Sequence, residues 1–164
     1  MARREMTKSR VDSRPSAMLR APWKVRLAKA VLRALGWQLR GTLPPQFWRS
    51  IVVVKAPKPW QCKALVWTLP VVVRPLNGLA REEWPHATAQ GFAQGEASIV
   101  FTHANDPQLE DIAAHAREAK GRIALCAFEP QRKFVHMHAP FKTSPFPDRD
   151  VHYMSRYFKH FRYD

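Results

Sequence analysis

The 164-residue chain carries 27 Lys and Arg against 13 Asp and Glu, a formal net charge of +14 with a pI near 10.6. With 46% hydrophobic residues and six tryptophans it has the apolar surface for one ordinary domain core, which excludes wholesale disorder. No run of about 18 uncharged apolar residues occurs, so a spanning helix is not expected, and Cys62 and Cys126 are read as free thiols of a reducing compartment rather than a disulfide framework or zinc site.

The charge is concentrated at one end. Up to Lys63 there are 15 Lys and Arg and only Glu5 and Asp12 as acids, a net of +13, which leaves +1 for the remainder. Such a front favours an anionic partner, whether phospholipid headgroups, RNA phosphates or an acidic protein surface. Residues Met1 to Pro15 are basic and aperiodic, and an Arg-rich, Ser-containing, acid-poor N-terminus is also what mitochondrial import uses. A basic extension over 1–20 is therefore expected ahead of one domain over 21–164. The candidate anion- or lipid-contacting residues are Arg3, Arg4, Lys8, Arg10, Arg14, Arg20, Lys24, Arg26, Lys29 and Arg33.

From Ala21 to Leu35 the pattern predicts a basic amphipathic helix, with Pro22 in its first turn and Gly36 as its stop. Val25, Ala28, Leu32 and Leu35 form its apolar face, and Lys24, Arg26, Lys29 and Arg33 its basic flank. It fits a helix docked on its own domain, an interfacial membrane helix, or a helix against RNA or another subunit.

Gly36 to Gly41 alternates like a short half-buried strand, and Thr42 to Trp48 is a loop. Ser50 to Lys55 is a β-branched run suited to a fully buried strand of a mostly parallel sheet. Ala56 to Trp60 reads as an irregular turn, Cys62 to Leu69 as an apolar helix, and Val71 to Val73 as a strand closed by Pro75 and Gly78. A helix follows over Arg81 to Gln94 with Pro85 near its first turn, then a strand over Ala97 to Phe101. Asp106 is a candidate N-cap for a helix whose face is Leu109, Ile112, Ala113 and Ala116 and whose stop is Gly121. Ile123 to Phe128 and Lys133 to His138 read as strands, and Asp148 to Tyr163 as a final helix with Tyr153, Tyr157, Phe158 and Phe161 as an aromatic stripe. Alternating strands and helices predict an α/β fold, a single mostly parallel sheet flanked by helices.

No catalytic motif stands out. His136 and His138 share a strand face without a third ligand, and no phosphate-cradling loop, nucleophile elbow or metalloprotease helix occurs, so neither metal nor other cofactor is expected.

The stretch Leu35-Gly36-Trp37-Gln38-Leu39-Arg40-Gly41-Thr42-Leu43-Pro44, followed by Ile51 to Pro57, resembles the opening of the small bacterial-type branch of the glycerol-phosphate acyltransferase superfamily. Farther on, Ala119-Lys120-Gly121, the hairpin from Phe128 to His138, Ala139-Pro140-Phe141-Lys142-Thr143 and an aromatic final helix are similar to that family's end. The resemblance spans Val31 to Tyr157 and is specific in its first block. It implies an acyltransferase-like α/β domain.

In that family a His-x-x-x-x-Asp pair follows the Ala-Pro, the imidazole removing a proton from the acceptor hydroxyl and the carboxylate orienting it. Aligning Ala56-Pro57 on that Ala-Pro places Lys58 at the His position and Lys63 at the Asp position. A lysine ammonium in water has no lone pair to act as a base, and a second one has the wrong sign to orient it. The family's phosphate-binding Glu-Gly-Thr-Arg is also missing after the strand ending at Phe101, where Thr102-His103-Ala104-Asn105-Asp106 stands. The segment between the two motifs is short for the family, which implies a reduced acyl groove.

These departures lead to the expectation of a degenerate, non-catalytic member serving as an accessory subunit of a large mitochondrial assembly, an inner-membrane respiratory or ATP synthase complex. Its partners would be other protein subunits and anionic lipid headgroups, with no small-molecule substrate. The alternatives are a mitochondrial ribosome or ribosome-assembly protein on rRNA, and a lipid acyltransferase with an atypical site.

Overall fold

A computed structural model describes residues 18–41, 49–55, 58–102 and 108–160. The first helix, α1 (Pro22–Ala34), starts on the expected proline and ends in a Schellman turn. Gly36, at φ +87°, donates its N–H to the Arg33 carbonyl, and the Trp37 N–H reaches Leu32 at 2.9 Å. The chain then enters β1 (Gln38–Arg40). Gly41 follows at φ +81°, where a Cβ would run into the Met137 carbonyl oxygen, so both conformation and space demand glycine.

The run read as a buried strand is β2 (Ser50–Lys55), with all six residues buried. It lies between β4 (Ala97–Thr102) and β5 (Arg122–Glu129), parallel to both. β3 (Val73–Pro75) runs parallel to β4 at one edge of the sheet. At the other side β6 (Phe134–Lys142) pairs antiparallel with β5 and parallel with β1, giving the order β1-β6-β5-β2-β4-β3. The fold is thus a single six-stranded, mostly parallel sheet flanked by helices, as the alternation of elements predicts.

β1 is shorter than the alternation suggests, and two strands, β3 and β6, include a proline that reads as a stop. β3 begins at Val73 and includes Pro75, while Val71 instead forms an isolated antiparallel bridge with Leu19. β6 runs on through Pro140 to Lys142, past a register shift opposite Ile123 and Leu125. β1 covers only Phe134 to His136, so among the described residues the second half of β6 has one neighbour. On such open edges a missing N–H breaks no ladder bond, which is why neither proline ends its strand.

Helices fill both faces. α1 and α2 (Pro59–Thr68) pack on one, where Leu32, Leu65 and Leu69 meet Val52, Val54, Ile99, Cys126 and Phe128. α2 starts at Pro59, earlier than the apolar run suggests, because proline suits a first turn and the Lys58 N–H donates to the Gln61 side chain at 3.2 Å.

The other face carries α3 (Trp84–Ala93), α4 (Gln108–Glu118) and α5 (Pro147–His160) over Ile51, Val53, Val100, Ile123 and Leu125. A 3-10 turn at Arg81–Glu83 precedes α3, so the expected helix over 81–94 is shorter, with Pro85 in its first turn. Leu109, Ile112, Ala113 and Ala116 are buried as their spacing predicts. Past α4 the left-handed residue is Lys120 (φ +53°), not the glycine. Gly121 answers to space instead, since a Cβ there would sit 3.2 Å from the Arg49 carbonyl oxygen and 3.3 Å from the Phe92 ring. On α5, Met154 and Phe158 are buried and Tyr157 partly so, whereas Tyr153 is exposed; Phe161 and the Asp106 cap lie outside the described residues.

His115 is buried beneath the Trp84 ring, and its Nε2 lies 2.7 Å from Thr88 Oγ1, to which Ser98 donates at 3.4 Å. Burial lowers its pKa below the usual 6.5, against a smaller opposing pull from Glu118. The unfolded chain therefore binds this proton more readily than the folded one. The resulting loss of stability is absent above about pH 7 and grows as pH falls through 6.5 toward the folded value. Urea midpoints measured from pH 7.5 to 5 should fall on acidification, and His115→Gln should flatten that slope.

Candidate functional site

In an open α/β sheet ligands meet the carboxyl ends of strands where neighbouring connections leave to opposite faces. Here that point lies between β2 and β4. The chain leaving β2 enters α2 on one face, and α4, next after β4, lies on the other. Lys55 and Thr102, paired in register, end these strands and are both buried.

Lys55 Nζ donates to the Phe158 carbonyl at 3.2 Å, in the last turn of α5, where the helix dipole favours a cation. Asn77 brackets the neighbouring Phe101, accepting its N–H at 2.8 Å and donating to its carbonyl at 3.0 Å. The lysine and Asn77 are thus bound to backbone as fixed structural supports.

Lys58 and Lys63 both stand exposed on the α2 side of this crevice. Lys63 also borders an apolar groove of about 180 Å³ lined by Cys62, Val66, Trp67, Val73, Ile99 and Phe101. The Cys62 thiol donates to the Lys58 carbonyl at 3.7 Å and burial raises its pKa, which works against thiolate chemistry. Among the described residues the crevice therefore offers cations and apolar walls. Neither α1 nor α2 contains a carboxylate or an imidazole to take up a proton.

The two strand histidines have separate partners. His136 Nε2 lies 2.9 Å from Glu129, whereas His138 bonds the Ala139 carbonyl at 2.7 Å and Tyr153 Oη at 2.6 Å within a ring of Phe141, Tyr153 and Tyr157. Among the described residues no group of three His, Cys, Asp or Glu could hold a metal ion.

Of the basic residues singled out, Arg3, Arg4, Lys8, Arg10 and Arg14 lie outside the described residues. Arg20 is half-buried and its N–H bonds Pro70. Lys24, Arg26 and Arg33 are exposed on α1, Lys29 is half-buried, and the Lys24 ammonium lies 5.5 Å from the Trp23 ring centroid. The predicted apolar face is partly right: Val25 and Leu32 are buried, but Leu35 lies past the helix end and is 56% exposed.

A second apolar seam escaped the sequence reading. Trp23, Leu27 and Val31, at i, i+4 and i+8, are 64%, 57% and 52% exposed. On α2, Trp60 and Trp67 also face outward. The signal was present in the spacing, but a helix with two apolar seams does not declare which one is covered. No described helix is long and apolar enough to cross a membrane.

Compared with family models, with curated proteins and with solved structures, the chain matches none.

Proposed function

We propose that this chain is a non-catalytic accessory subunit of a large mitochondrial assembly, an inner-membrane respiratory or ATP synthase complex, built on a degenerate acyltransferase-like domain. The observation that carries the reading is the chemistry at the switch-point crevice. Where the resembled family keeps a base and the carboxylate that orients it, this chain has the exposed Lys58 and Lys63. Acyl transfer to a hydroxyl needs a group that accepts its proton, and two ammonium groups supply none. Lys55, the one buried cation at the crevice among the described residues, is held on a helix-end carbonyl.

The mitochondrial setting draws on the Arg-rich, acid-poor N-terminus, and the subunit role on a basic front without a catalytic partner. Purified chain supplied with long-chain acyl-CoA and 1-acylglycerol phosphate should release no free CoA above a heat-denatured control. Transfer that disappears in Lys58→Ala would overturn the reading and restore the acyltransferase alternative. The rRNA alternative rests on the +14 charge and predicts a salt-sensitive complex with RNA.

A further inference from the structure

We propose that the outer surface of the α1–α2 layer is an in-plane docking face for an anionic phospholipid bilayer. Both helices cover the same sheet face, which Leu32 of α1 and Leu65 of α2 meet, and each buries one side, α1 at Val25 and Leu32 and α2 at Gln61, Leu65 and Thr68. Their opposite sides therefore point the same way, off the sheet. On α1 that side carries Trp23 and Leu27, with Val31 beside them; on α2 it carries Trp60, Lys63 and Trp67. α2 carries apolar side chains on its outer side as well as its covered one, with Lys63 the one charge on the helix, a pattern that suits a helix whose other side also leaves water.

Charge selects the occupant. No Asp or Glu occurs between Asp12 and Glu82, so the layer, its connections and β2 are free of acid. The described acids lie instead on the α3–α5 layer, on the 3-10 turn before it, or at strand ends, as with Glu96 and Glu129. Lys24, Arg26 and Arg33 are exposed beside the apolar residues of α1 and Lys63 lies between the two tryptophans of α2, while the tryptophans are suited to the water–hydrocarbon boundary. The pairing of cations with exposed tryptophans on a layer devoid of carboxylates fits lipid phosphates over acyl chains. Neither helix can span, so the chain would lie on the surface.

This deepens the anchoring half of the proposed role and is independent of the catalytic half: an active acyltransferase could dock in the same way, so vesicle binding and acyl transfer fail separately. The test uses full-length chain floated with vesicles of phosphatidylcholine alone and of equal parts phosphatidylcholine and phosphatidylglycerol, with brominated acyl chains to read tryptophan depth. The chain should float with the anionic vesicles, its fluorescence should be quenched by bromine, and Trp23→Ser/Leu27→Ser/Trp67→Ser should lower partitioning by about tenfold or more. All three positions are exposed, so an unchanged circular dichroism spectrum certifies the fold. Equal flotation of the triple variant, or binding without quenching, would assign attachment to the basic extension and overturn the proposal. Failure to float on either vesicle would also overturn it and leave the face to a protein or RNA partner.

Discussion

Phe128→Ala should destabilise the domain by about 3–5 kcal/mol, the range for emptying a large aromatic site in a packed core. Phe128 is fully buried in β5 and meets the Trp37 ring edge-on at 5.5 Å. Trp37 in turn meets Trp60 at 5.7 Å, so three rings tie the central sheet to the end of α1 and the start of α2. Truncation removes the transfer free energy of one ring and leaves a cavity that Trp37 cannot close without giving up Trp60. Against a typical total of about 5–15 kcal/mol this is a large share. Urea unfolding should show a lower midpoint with an unchanged slope, and Phe128→Leu should cost less than half as much. A loss below about 1 kcal/mol would mean that the ring chain does not hold the layer.

Asp150→Ala should cost about 2–4 kcal/mol, through unmade hydrogen bonds more than through lost ion pairing. The carboxylate is buried in the first turn of α5, and its two oxygens accept the Ser144 N–H at 3.1 and 3.0 Å. Arg117 reaches Asp150 at 3.3 Å and donates twice to the Ser144 carbonyl, at 3.1 and 2.7 Å. α4, α5 and the turn between β6 and α5 are thus stapled at one place. Removing the acid orphans a backbone donor and leaves a half-buried guanidinium with fewer acceptors. Asp150→Asn keeps an acceptor oxygen and should lose less. Proteolysis between Thr143 and Pro147 should accelerate in the Ala variant, because the first turn of α5 and the segment leading into it are released.

The legibility of the fold divides along physical lines. β2 was plain because six buried residues in a β-branched run have no competing period, and α4 because Leu109, Ile112, Ala113 and Ala116 mark one face. β3 and β6 were misplaced because proline reads as a breaker, while its cost depends on whether a neighbour needs the missing N–H. That is a property of strand order, and strand order is non-local. The same holds for α1: the buried Val25–Leu32 seam and the exposed Trp23–Leu27–Val31 seam are both helical, and only docking on the sheet chooses between them. Lys58 and Lys63 drew notice through a family resemblance, and their exposed placement beside the β2–β4 crevice depends on β4 lying next to β2. The charge asymmetry was legible in the sequence as a basic front, but that Lys24, Arg26, Arg33 and Lys63 share one helical layer with exposed tryptophans required the fold.

Native separation of detergent-solubilised mitochondria from cells carrying a tagged full-length chain, with and without ribonuclease, tests subunit membership most directly. Membership of a respiratory or ATP synthase complex predicts that the tag migrates with that complex at high molecular mass and is indifferent to ribonuclease. A tag running at the mass of the free chain, or a large particle that disperses with ribonuclease, would contradict it.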